Sequence, residues 1–185
     1  MVALYLHPLR GTDAFDPVTD PEAREKCRPF VQAVTVDQCM EDLREGVRCL
    51  GARDDVDPDR VLFWGYCWGG SMVFRGASRV ADIAGLVVWH GMLRGEELET
   101  VPGMKGSILG LFGGIDHLIP VSDVEALGSA CDAAGVDHAF HVYDDAPHSF
   151  CDDSRPEGYR RAACEAAWGE VVGYLHKLKM SRSSG

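Results

Sequence analysis

The stretch that most constrains the fold is Val61-Leu62-Phe63-Trp64-Gly65-Tyr66-Cys67-Trp68-Gly69-Gly70. Its first four residues are all large and apolar, the pattern of a strand buried on both faces, as in a parallel sheet. Gly65 and Gly69 then flank one thiol at two residues on either side, and Gly69 opens a predicted helix. A residue at so tight a strand-to-helix turn is held in a strained conformation, with its side chain lifted clear of the sheet. Flanking glycines let neighbouring backbone approach. The segment reads as a nucleophile elbow with Cys67 in the position of attack.

The rest of the chain alternates strand and helix signals. An apolar run at 2–6 reads as a strand ended by His7-Pro8, and the Asp, Thr and Pro of 11–21 read as an exposed loop. Residues 21–27 suit a short helix with proline in its first turn. Thr35-Val36-Asp37-Gln38 has the form of a capping box. Val36, Cys39, Leu43, Val47 and Leu50 follow at intervals of three and four, and Gly51 stops the stripe. Asp57-Pro58-Asp59 turns the chain into the elbow strand. Further strands are expected at 86–89, 107–112 and 140–143, and helices at 69–80, 121–134 and 159–179, with a charged loop at 94–100. Such alternation implies crossover connections and a mostly parallel sheet, an α/β three-layer sandwich. One domain over 1–179 and a disordered tail at 180–185 are expected.

Parallel strands have a chemical consequence, because all their C-terminal ends share one edge of the sheet, where ligands bind. Cys67, Asp116 and His148 each fall just past a predicted strand end. The order nucleophile, acid, histidine is that of α/β hydrolases. In this reading the Cys67 thiolate attacks, and His148 holds the proton and later activates water. Asp116 orients the imidazole, and the Trp68 backbone N–H donates to the oxyanion. The reaction would be acyl transfer to water through a thioester. Asp116 could instead be a turn residue after Gly113-Gly114; Asp123 is a weaker rival, expected in the first turn of the next helix.

Composition narrows the partners. The 185 residues are 46% hydrophobic and 25% charged, with a net charge of −11, which argues against a nucleic-acid surface or an anionic membrane. No apolar run approaches membrane-spanning length. Seven cysteines, an odd number without CxxC spacing, point to reduced thiols in a cytoplasm and not to disulfides. Cys39, Cys49, Cys131 and Cys164 read as packing residues, and Trp64, Trp89 and Trp168 as core or helix–sheet contacts. No metal site is expected, since His117, His138, His141 and His148 lack ligand spacing.

The chain resembles the dienelactone hydrolase family over nearly its whole length. Gly65-Tyr66-Cys67-Trp68-Gly69-Gly70 is similar to that family's nucleophile segment, and Val88-Trp89-His90-Gly91 to its next strand end. Residues 112–120 resemble its acid loop, Tyr143-Asp144-Asp145-Ala146-Pro147-His148-Ser149-Phe150 its histidine loop, and Gly158-Tyr159 the start of its last helix. The resemblance implies an α/β-hydrolase fold, a Cys67–Asp116–His148 triad, hydrolysis of a small lactone or ester, no cofactor, and a cytoplasmic protein. It also implies substrate-binding roles for Arg24, near the family's carboxylate-binding arginine, and for Ser149 beside the histidine. A further arginine of the family is replaced by Asp152-Asp153, an acidic pair that would repel an anionic lactone. The likeness begins in the family's middle, so its opening strands and second oxyanion donor are expected to be missing. A face left uncovered by them would favour self-association, and the alternative function is a catalytically impaired binding or assembly protein.

Overall fold

Local rules set most element boundaries in the computed structural model, which describes residues 22–80 and 83–180 apart from the Arg24 side chain. In chain order the elements are α1 (Ala23–Ala33), α2 (Val36–Gly51), β1 (Leu62–Tyr66), α3 (Trp68–Arg79), β2 (Gly85–Trp89), α4 (Glu96–Thr100), β3 (Ser107–Gly113), α5 (Val121–Ala134), β4 (His138–Tyr143) and α6 (Arg161–Met180). Thr35 Oγ1 accepts the Gln38 N–H at 3.2 Å and caps α2 as its sequence predicts. Asp57 caps the short 3₁₀ turn that feeds β1. Gly135, at φ +68°, closes α5 in the left-handed conformation that a residue without Cβ adopts freely.

The four strands are all parallel in the order β1-β2-β3-β4. Side chains alternate across the sheet. Leu86 and Val88 of β2 pack with Leu43 of α2, Phe74 of α3 and Leu127 of α5. Val87 and Trp89 pack on the other face with Ala167, Val171 and Tyr174 of α6. These four of the five β2 residues are fully buried, which is why they read as an unbroken apolar run. Helices on both faces make this the expected three-layer α/β architecture. At the strands' N-terminal ends, Tyr174 Oη donates to the Ser107 carbonyl at 2.6 Å and accepts the Leu86 N–H at 3.1 Å. One phenol thus ties α6 to both central strands. No helix among the described residues is long and apolar enough to cross a membrane.

Several expectations change. The strand at 2–6, the loop at 11–21 and residues 181–185 of the expected tail lie outside the described residues, while Met180 belongs to α6. The helix expected at 21–27 runs on to Ala33 with Pro29 inside it. The charged loop at 94–100 contains α4. Its acids are what dock it, because Arg75 of α3 reaches Glu97 at 2.6 Å and Glu96 at 3.4 Å, and Glu97 is buried.

The expectation of reduced thiols throughout is also corrected. Cys151 and Cys164 are joined as a disulfide, with Cα atoms 5.1 Å apart. The cause is tertiary: Arg160 N–H donates to the Phe150 carbonyl at 2.9 Å, folding the segment after His148 back onto the start of α6. Cys27, Cys39, Cys49, Cys67 and Cys131 are free.

Candidate active site

Cys67 sits between β1 and α3 with φ 50° and ψ −122°, a conformation a side-chain-bearing residue adopts only under constraint. The constraint is visible on both sides. Its N–H donates to the Trp89 carbonyl at 2.9 Å, extending the β1–β2 ladder by one bond, and its carbonyl accepts the Ser71 N–H in the first turn of α3. A Cβ at Gly65 would collide with the Gly69 carbonyl, so the turn closes only with glycine there. The thiol therefore stands at the positive end of a 12-residue helix.

The acid and histidine loops are laced to each other before they meet the thiol. Gly114 N–H donates to the Tyr143 carbonyl at 2.7 Å and Ile115 N–H to that of Ala146 at 3.2 Å. Asp116 is buried, and its Oδ1 accepts the Leu118 and Ile119 N–H groups at 2.8 and 3.3 Å. That leaves Oδ2 to accept from His148 Nδ1 at 2.7 Å, and His148 Nε2 lies 3.2 Å from Cys67 Sγ. The rival acid, Asp123, instead pairs with Arg94 at 3.5 Å.

The electrostatics follow this geometry. The His148 contact, with help from His90 and against the cost of burial, draws the Cys67 thiol down to about 6. His148 is pushed above its ordinary value, first by the thiolate and then by Asp116. Both shifts favour a thiolate–imidazolium pair at neutral pH.

With this arrangement in view, the comparison with known proteins is informative. A model of the dienelactone hydrolase family matches residues 5–179. The chain belongs to that family. It is 32% identical over 162 residues to a protein of Escherichia coli O157:H7 provisionally named carboxymethylenebutenolidase, covering 83% of this chain and 59% of that protein. A protein of the same provisional name from Methylorubrum extorquens is 33% identical over 148 residues, covering 76% of this chain and 50% of that one. The chain thus spans between half and three fifths of the length of these relatives. A solved structure provisionally named a dienelactone hydrolase, from Klebsiella pneumoniae, superposes with a TM-score of 0.74 at 26% identity, covering 85% of this chain and 67% of that one. The fold is that of the α/β hydrolases.

Set beside its family, this chain's site holds a residue the sequence reading passed over. His90, directly after β2, is buried, has φ 38°, and sets its ring 4.6 Å from that of His148 at a tilt of 60°. One donor atom each from Cys67, His90 and His148 fall within 4.8 Å of one another. Reasoning from metal-ligand spacing missed this group because its members come from three separate loops. The available signal was positional: a histidine just past a buried parallel strand lands on the same edge as Cys67.

The other candidates are placed less centrally. Trp68 opens α3 with its indole partly exposed, and Ser149 follows His148 at φ 59°. Arg24 falls in the first turn of α1, with its side chain outside the described set. Within the acidic pair after the histidine loop, Asp152 is bound by Arg155 at 2.9 Å. A groove of about 430 Å³ opens beside Trp68 and is lined by Ser71, Met72, Arg75, Met92 and Arg94 among others. Its arginines are engaged, Arg75 with Glu96 and Glu97 and Arg94 with Asp123.

Proposed function

We propose that this chain hydrolyses a small lactone or ester, with Cys67 as nucleophile and a thioester intermediate. The observation that carries this reading is the unbroken chain Asp116 Oδ2–His148–Cys67 Sγ, at 2.7 and 3.2 Å, on the carboxyl edge of a parallel sheet. The thiolate adds to the acyl carbon while the Trp68 N–H, the first of α3, donates to the developing oxyanion. The imidazolium gives its Nε2 proton to the leaving alkoxide. The neutral ring then takes a proton from water, hydroxide attacks the thioester, and the thiolate leaves with the acid product. Asp116 holds the ring in the tautomer that keeps Nε2 toward sulfur. Arginines already paired along the groove support an uncharged acyl group, with Ser149 beside the histidine as the further substrate contact proposed.

The test is turnover of p-nitrophenyl acetate and of a simple enol-lactone by wild type and Cys67→Ala, with acid-quenched protein mass in parallel. Turnover falling to background in the variant, with an acyl adduct on wild-type Cys67, is expected. Equal turnover by the two proteins would overturn the proposal. The cytoplasm is the compartment proposed, supported by the five free thiols, with the Cys151–Cys164 disulfide the feature that stands against it.

A second reading, self-association, rests on a different observation. β1 has one neighbouring strand among the described residues, and Tyr66, Trp168 and Val172 are 47%, 44% and 50% exposed. Trp64 lies between Tyr66 and Trp168, 6.2 and 5.6 Å from their rings, so the exposed aromatic groups are contiguous. Sedimentation velocity decides it: a monomer at every accessible concentration removes this reading.

A further inference from the structure

The acyl-transfer chemistry uses one imidazole, yet the structure sets two against the thiol. His148 Nε2 is 3.2 Å from Cys67 Sγ, and a nitrogen of His90 completes a set whose donors all lie within 4.8 Å of one another. His90 is 4% exposed, and its Nδ1 is buried without a hydrogen-bond partner. A buried imidazole held at φ 38° carries two costs, strain and an unsatisfied Nδ1, and its help in lowering the thiol leaves that nitrogen unsatisfied.

We propose that Cys67, His90 and His148 form a binding site for a borderline-soft divalent cation, Zn²⁺ in the first instance, and that occupation closes the nucleophile reversibly. One thiolate and two imidazoles are a donor set that favours zinc over magnesium or calcium. Zinc–sulfur and zinc–nitrogen bonds of about 2.3 and 2.0–2.1 Å place tetrahedral donors roughly 3.3–3.7 Å apart. The Cys67–His148 pair, at 3.2 Å, lies slightly inside that spacing, and the His90 nitrogen, within 4.8 Å of the other two donors, reaches it with a movement on the order of 1 Å. His148 is also oriented as a metal ligand is. Its other nitrogen donates to Asp116, which two backbone N–H groups fix in turn. Cys67 is only partly buried, which leaves the fourth position to water.

The step is a ligand exchange with no change of oxidation state. Hexahydrated Zn²⁺ gives up five waters, keeps one, and gains bonds to Sγ, His148 Nε2 and a His90 nitrogen, ending four-coordinate. A proton on Nε2 passes to solvent as the metal takes that lone pair. The sulfur lone pair and the base nitrogen are then both engaged, and attack on an ester stops.

The experiment reads binding, so it stands whether or not the chain turns over an ester. Purified full chain is titrated with Zn²⁺ by calorimetry in two buffers of different ionisation enthalpy, and with Co²⁺ by absorption. Expected are one ion bound per chain, a sulfur-to-cobalt charge-transfer band, and tetrahedral cobalt bands. Cys67→Ala abolishes the charge-transfer band. His90→Phe, which keeps a ring in the pocket, weakens Zn²⁺ binding by more than the roughly 10- to 100-fold that loss of an outer-shell partner costs. His90→Asn serves if the phenylalanine variant has a collapsed Tm. Unchanged Zn²⁺ affinity in a folded His90 variant, a charge-transfer band that persists in Cys67→Ala, or no saturable binding to wild type would each overturn the proposal.

Discussion

At the C-terminal ends of the strands stand Cys67, His90 and Ser149, with φ of 50°, 38° and 59°; these are all the positive-φ non-glycine residues among those described. At the opposite ends the backbone is relaxed, and Tyr174 supplies both a donor and an acceptor to the starts of β2 and β3. Each strained residue costs on the order of 1–3 kcal/mol, so strain gathered at one edge has to be held by order elsewhere. The two ends of one sheet thus divide the work: one keeps the strands in place, the other spends that stability on presenting a thiol and two imidazoles.

The contrast is tested most severely by removing the group that makes the thiol unusual. Cys67 is drawn down to about 6 from an ordinary 9.0, with His148 the largest cause. A depressed thiol pKa means that thiolate is present above about pH 6 and lost below it, where an ordinary thiol would need pH 9. Iodoacetamide should therefore alkylate wild-type Cys67 with a half-maximal rate near pH 6. His148→Ala removes the largest cause and leaves burial opposing the charge, with the His90 contact and the Trp68 N–H still in place, so the midpoint should move up from about 6 toward, but short of, the ordinary 9.0. Equal profiles for the two proteins would show that the elbow, and not the histidine, sets the thiol.

A smaller effect is expected from the elbow itself. In Gly65→Ala the new methyl meets the Gly69 backbone, which cannot rotate away as a side chain can. Overpacking typically costs 1–3 kcal/mol, and the upper end, about 3 kcal/mol, is expected here in urea unfolding. Rapid alkylation near pH 6 should disappear with it, since the turn that aims the thiol opens. A loss below about 1 kcal/mol with alkylation intact would mean that the turn tolerates a side chain.

These two sites also show what the sequence could and could not reveal. The elbow was legible because its constraint is local: Gly65, Cys67 and Gly69 lie within five residues, and steric rules over that span suffice. Asp116 and His148 were legible because parallel topology converts "just past a strand" into "on one edge". His90 obeys the same rule, but ligand spacing along the chain does not single it out, because its two partners come from distant loops. The Cys151–Cys164 bridge had no such rule behind it, since it depends on how the histidine loop folds back on α6. α4 read as a loop for a related reason. Its acidic residues look solvated in sequence, and only the placement of Arg75 shows that Glu97 is buried against a cation.

The relaxed end should give the smallest and cleanest response. Tyr174→Phe keeps the ring among Val87, Val171 and their neighbours but removes the hydroxyl. It deletes the 2.6 Å bond to the Ser107 carbonyl and leaves the Leu86 N–H without the partner it has at 3.1 Å. A buried donor left unsatisfied costs about 1–3 kcal/mol, so a loss of roughly 1–2 kcal/mol in unfolding free energy is expected. Thiol alkylation should keep its midpoint near pH 6. The phenol and the thiol sit at opposite ends of the strands, and well-separated sites without shared partners act additively. A Tyr174→Phe protein with unchanged stability would show that the strand starts are held by packing alone. One whose alkylation midpoint moves toward pH 9 would show that the two ends are mechanically coupled, so that strain at Cys67 is carried through β2 to the tyrosine.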